Sequence, residues 1–86
     1  MPADRLARVE RVRRIHSSRL MRLANVVGVG VGLRHRKGEV LDEVVLVVLV
    51  SEKVPVEKLA AGDRIPAEIE GVPVDVVGVG EIGADG

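Results

Sequence analysis

The chain has 86 residues with no cysteine, no phenylalanine, tyrosine or tryptophan, and equal numbers of basic and acidic side chains. That length makes one small domain with an aliphatic core, and the missing residue types exclude disulfides, thiolate metal sites and aromatic platforms for base stacking. The charge is unevenly placed, because residues 1–24 carry seven arginines against Asp4 and Glu10, whereas residues 25–86 carry six basic against eleven acidic side chains. An asymmetry of this kind predicts an arm that meets something acidic, and the nearest acidic body is the rest of the same chain.

Residues 4–24 predict an amphipathic helix. At 100° per residue, Leu6, Val9, Val12, His16, Leu20, Leu23 and Ala24 form one apolar stripe, and Arg8, Arg11, Arg14, Arg19 and Arg22 gather on the other side. Arg13 and Ile15 break the pattern, and His16-Ser17-Ser18 is a place for a bend. After Asn25 the period changes from 3.6 to 2. Val27, Val29, Val31 and Leu33 share one side of a strand, with Val26, Gly28, Gly30 and Gly32 on the other. Residues 34–38 read as a basic turn. The run from Val40 to Ser51, with VVLVVLV at its centre, reads as a central strand apolar on both faces. A short helix is expected over 54–62, with Pro55 in its first turn and Gly62 at its end. Residues 67–70 and 72–81 then alternate about Gly71 as a hairpin or a bent strand. The order gives an α+β fold: an arginine-rich helix over 1–24, then a ββαββ module over 25–86 forming one small, mostly antiparallel sheet covered by helices.

The phrase NVVGVGVGL (25–33) returns as DVVGVGEIG (75–83). Glycine weakens a strand by about 0.5–1 kcal/mol against alanine, so a row of it calls for close approach by another group. Gly28, Gly30, Gly32, Gly78 and Gly80 are therefore expected to be close-packing positions, and Gly30→Val is expected to clash. Gly78 to Gly83 satisfies G-x-G-x-x-G, but a dinucleotide fingerprint requires a helix directly after the glycines, and only Ala84-Asp85-Gly86 follow.

Catalytic chemistry is poorly represented. There are three serines and two histidines, and no G-x-S-x-G elbow. Ser17 and Ser18 adjoin His16, but sequence neighbours on a helix do not face each other as nucleophile and base. His16 is expected as a partly buried histidine making one hydrogen bond, and Glu68 and Glu70 as solvated carboxylates. The expectation is a non-enzyme with no metal and no cofactor. The longest apolar run, Val44–Val50, is far short of the roughly 18 residues a spanning helix needs, and no secretory h-region is visible. A cytoplasmic location without membrane association is expected.

The phrases NVVGVGVGLR, VVLVVLVSEKVPVEKL and DRIPAEIEGVPVDVVGVGE together resemble the region ahead of the protease domain in bacterial trypsin-like serine peptidases, a resemblance shared with narrow-leaf-type proteases of plants. It spans residues 25–81. It implies a lead-in module that packs on, orients or inhibits a peptidase domain, and it carries over no catalytic residue, since no triad positions match.

A sheet apolar on both faces with helices on one predicts a self-assembling or protein-interaction module, most simply a homo-oligomer. Val27, Val29, Val31, Val45, Val47 and Leu49 are the expected interface, and Arg8, Arg11, Arg19 and Arg22 a second, basic contact face. Two alternatives stay open: nucleic-acid binding by the arginine face, and a small ligand against the glycines.

Overall fold

The computed structural model describes residues 3–79. Helix α1 (Ala3–Leu20) leads into β1 (Val26–Arg36) and β2 (Glu39–Val50), and β3 (Glu68–Ile69) and β4 (Val72–Gly78) close the order. The result is a small α+β domain, one helix on a four-stranded sheet ordered β1-β2-β4-β3. Asp4 in the first turn of α1 and Arg19 in the last complement the helix dipole. The helix runs straight through His16-Ser17-Ser18 but stops four residues before the expected end. Arg22 and Leu23 return their amides to Arg19 and Leu20, three residues back, and Asn25 turns the chain with φ of 70°.

The expected helix at 54–62 is absent. Two single 3-10 turns stand there instead, Val56–Lys58 and Ala61–Asp63, separated by Ala60 in an extended conformation. Nine residues bounded by Pro55 and Gly62 cannot repay the cost of helix nucleation without an apolar face to pack. The ββαββ order is thus corrected to two strands, an irregular crossover and two strands. That crossover makes the sheet mixed. β1 and β2 pair antiparallel, as do β3 and β4, but the central pair β2–β4 is parallel, with Leu46 beside Val74 and Val48 beside Val76.

Both tight turns rest on left-handed backbone. Lys37-Gly38 (φ 53° and 82°) joins β1 to β2, and Glu70-Gly71 (φ 50° and 80°) joins β3 to β4. Two consecutive positive φ values make the turn that matches the natural twist of a hairpin. The basic turn expected over 34–38 is therefore only two residues long, and Arg34 to Arg36 belong to β1.

The core lies between α1 and one sheet face. Val9, Val12 and Leu20 of the helix meet Val44, Leu46, Val48 and Val50 of β2, joined by Ile69 and Val72. Val29 and Val31, opposite Val48 and Leu46, pack against the same cluster, as do Val74 and Val76. The crossover joins this side too, through Ile65 and through the Ala24 amide, which donates to Asp63 Oδ1 at 3.2 Å.

Candidate interaction surface

Two arginines of the helix, Arg5 and Arg8, reach across to the sheet side of the chain, while Arg11, Arg14, Arg19 and Arg22 are exposed. Arg8 Nη2 donates to the Glu70 carbonyl at 2.9 Å, and Arg5 Nη2 to Glu43 Oε2 at 2.7 Å. Glu43 is shared with Arg34 of β1 at 3.2 Å. His16, mostly shielded from solvent, holds Glu70 Oε2 at 2.7 Å through Nε2, while Arg19 Nη2 donates to His16 Nδ1 at 3.1 Å. A donor on Nδ1 leaves the proton on Nε2, so the imidazole donates to the carboxylate. The β3–β4 turn is in this way fastened to α1 by Arg8 and His16.

The hydrogen bond from His16, aided by the positive charges of Arg11 and Arg8, holds the Glu70 carboxyl below the usual carboxylate range, although desolvation pulls the other way. A depressed folded-state pKa stabilises the fold above the unfolded value near 4.5, and that contribution is lost as pH falls through the folded value. Glu70→Gln is expected to narrow the gap to wild type as pH drops. Urea unfolding from pH 7 to pH 3 checks this: the stability difference should be constant above about pH 5 and vanish at the acid end. A difference that grows on acidification would contradict the assignment.

The second sheet face carries Gly28, Gly30 and Gly32 of β1, opposite Leu49, Val47 and Val45 of β2, with Asp75 and Val77 of β4 beyond. It is less bare than the valine content implies. The His35 amide donates to Asp75 Oδ2 at 3.0 Å, tying β1 to β4 across β2, and Val45 keeps no exposed surface. Leu49 and Val47 are half-buried because they lie over the glycines: a Cβ on Gly28 would come within 3.2 Å of Leu49, and one on Gly32 within 3.1 Å of Val47.

The expected interface is therefore corrected. Val29 and Val31 face the helix, Val45 is buried, Val47 and Leu49 lie on the opposite face, and Val27 stands out at a β-bulge, so the six do not form one surface. The glycine reading holds for Gly28 and Gly32 but not for Gly30, where a Cβ would meet nothing within 4 Å. Gly78 is buried opposite Val50, and Gly80 lies outside the described residues. The expected clash of Gly30→Val is thus replaced by the opposite expectation. The variant should keep the fold and gain up to about 1 kcal/mol from strand propensity, whereas Gly28→Val should lose stability against Leu49. Parallel thermal melts distinguish the two.

What stays unpartnered is an edge. Among the described residues β1 pairs only with β2, which leaves its outer side open along eleven residues. Val27 (52% exposed) and Leu33 (41%) lie on this strand, and Val40 (58%) lies near its hairpin tip. Leu6 (44%) is exposed on α1, next in the chain to Arg5, which reaches Glu43 and Val44 of β2. Arg34 and Arg36 are the only charged residues in β1, both close to the tip, and the strand has no proline. Irregularities in the pairing at Val26–Gly28 and Leu33–His35 bound the strand, and between them, from Gly28 to Leu33, no charge, proline or bulge discourages pairing. The alternation of valine with glycine marks the faces of this strand and carries no signal of an edge.

Among the described residues no three His, Asp or Glu gather as metal ligands, and no helix is long and apolar enough to cross a membrane. A cavity of about 240 Å³ lies between the crossover and the sheet, lined by Val50, Val54, Leu59, Asp63, Ile65 and Val76, and an open one of about 540 Å³ is lined by His35, Lys53, Asp75, Val77 and Gly78.

A family model described as the NARROW LEAF 1 N-terminal domain matches residues 2–80, nearly the whole chain. The chain belongs to the NARROW LEAF 1 N-terminal domain family. That match corrects the resemblance to the pre-protease region of bacterial trypsin-like peptidases. It also begins at residue 2, so the arginine-rich helix, outside the stretch that carried the resemblance, is part of the NARROW LEAF 1 N-terminal domain. The packing of Val9, Val12 and Leu20 into the sheet core gives the physical reason for that extent. No curated protein matches the chain.

Proposed function

We propose that this chain is a non-catalytic interaction module that associates with copies of itself through its sheet. The open edge of β1, with Val27 and Leu33 exposed on it, is the observation that carries this reading. An open strand edge bordered by apolar side chains gains hydrogen bonds and apolar burial when it is covered. The small size of the domain adds to the incentive, because a chain of this length buries a modest core and stands to gain from a partner surface. Nucleic-acid binding by the basic face is less favoured, since of Arg8, Arg11, Arg19 and Arg22 two are engaged, Arg8 with Glu70 and Arg19 with His16. Sedimentation equilibrium at roughly 10–200 µM tests the proposal over the range expected for a modest interface. A mass of at least twice the 9.2 kDa chain supports it. A monomer across the whole range contradicts it.

A further inference from the structure

We infer that the association is a two-fold pairing of β1 with β1 of a second copy, antiparallel and centred on Gly30. This rests on the self-association proposed above and adds the surface, the symmetry and the register. The segment Val27–Leu33 reads V-G-V-G-V-G-L, the same in either direction about Gly30 if valine and leucine are counted alike. A strand of that kind is suited to meet its own copy, because a two-fold axis at residue 30 sets each position against its mirror position. Val29 falls opposite Val31 of the second copy and Gly28 opposite Gly32, and Val27 meets Leu33 at the two ends, beside the irregularities that bound this stretch. Residues directly opposite on antiparallel strands share a sheet face. Valines therefore meet valines on the side that carries α1, and the glycines of both copies form one bare strip on the other.

The register has little freedom. Moving the axis to Val29 sets Leu33 opposite Asn25, and moving it to Val31 sets Val27 opposite His35. Only the centre at Gly30 keeps every pair from 27 to 33 apolar. The second open edge of the sheet is a poorer partner. β3 covers only the start of β4, leaving Asp75–Gly78 open among the described residues, and pairing β1 with β4 is heterologous, so it does not close into a dimer. Joining β1 to β1 closes and gives an eight-stranded sheet with both helices on one side. A seven-residue edge is small beside the roughly 800 Å² per partner of a standard complex, so the dimer is expected in the micromolar range.

Gly30→Cys tests the axis directly. The chain has no cysteine, so any disulfide joins two copies, and a Cβ at this position meets nothing within 4 Å in its own chain. Residues opposite each other on antiparallel strands have Cα atoms about 4.5–5.5 Å apart, inside the range of about 4.4–6.8 Å that a disulfide spans. Mild oxidation is expected to convert most of the variant to a covalent dimer, while Gly62→Cys, exposed on the crossover, stays largely monomeric on the same gel. A charge pair tests the register. Val27→Lys with Leu33→Lys sets like charges opposite and should abolish the dimer in sedimentation; Val27→Lys with Leu33→Glu sets opposite charges in contact and should keep it. Both positions are exposed, so neither double variant threatens the core. A wild-type monomer defeats the parent proposal. A wild-type dimer that Gly30→Cys does not trap, and that survives both charge variants equally, leaves self-association standing and overturns this placement.

Discussion

Leu46→Ala is expected to cost about 2–5 kcal/mol of stability, the range for removing a fully buried leucine side chain. Leu46 has no exposed surface, sits on the central strand between Val31 and Val74, and faces the helix. At about 0.05–0.15 kcal/mol per residue, a domain of this size has roughly 4–13 kcal/mol in all, so the loss is a large share of the total. Each kcal/mol moves the melting temperature of a domain this small by about 4–8 °C. A drop of roughly 10–30 °C in a thermal melt is expected, with urea unfolding giving the matching free energy. A change under about 1 kcal/mol would mean that the core is not centred where α1 crosses β2.

Gly71→Ala is expected to cost more than Gly38→Ala, although both glycines occupy the same backbone region. Gly71 has φ of 80° and Gly38 of 82°, each the second residue of a left-handed pair. The conformational penalty for a side chain there is about 1–2 kcal/mol and applies to both. At Gly38 nothing lies within 4 Å of the added Cβ, so that variant isolates the penalty. At Gly71 the Cβ would come within 2.7 Å of Arg8 Nη2, displacing the guanidinium that holds the Glu70 carbonyl. The excess of Gly71→Ala over Gly38→Ala therefore measures the fastening of the β3–β4 turn to α1, and an Arg8→Ala background should erase it. Equal losses at the two glycines would show that Arg8 contributes nothing there.

Much of the fold was legible because its signals are periodic. The stripe of Val9, Val12 and Leu20 placed the helix face that is buried, and the change to a two-residue period after Asn25 placed β1. The apolar run at 44–50 marked the central strand. The 54–62 segment misled because Pro55 and Gly62 sit where helix boundaries belong, yet nine residues with no face to pack form only two 3-10 turns. The direction of β4 was hidden for a different reason: alternation fixes which side chains share a face but not whether neighbouring strands run parallel.

The proposed interaction surface was the least legible part. Valine on two faces suggested an exposed sheet, but face alternation sends Val29 and Val31 under the helix, and the glycines opposite let Leu49 and Val47 settle over the backbone. Burial of Val45 accompanies a bond between His35 and Asp75, forty residues apart, which no local pattern announces. The edge was hidden because strand order decides which strand lacks a neighbour, and strand order depends on the crossover.

The most direct test of the central claim is hydrogen exchange at the β1 amides that make no bond to β2, followed as the protein is diluted. If β1 pairs with its copy, these amides exchange slowly in concentrated solution and quickly when dilute, while amides bonded to β2 change little. Fast exchange at every concentration, in a sample whose mass is that of a dimer, would place the contact elsewhere.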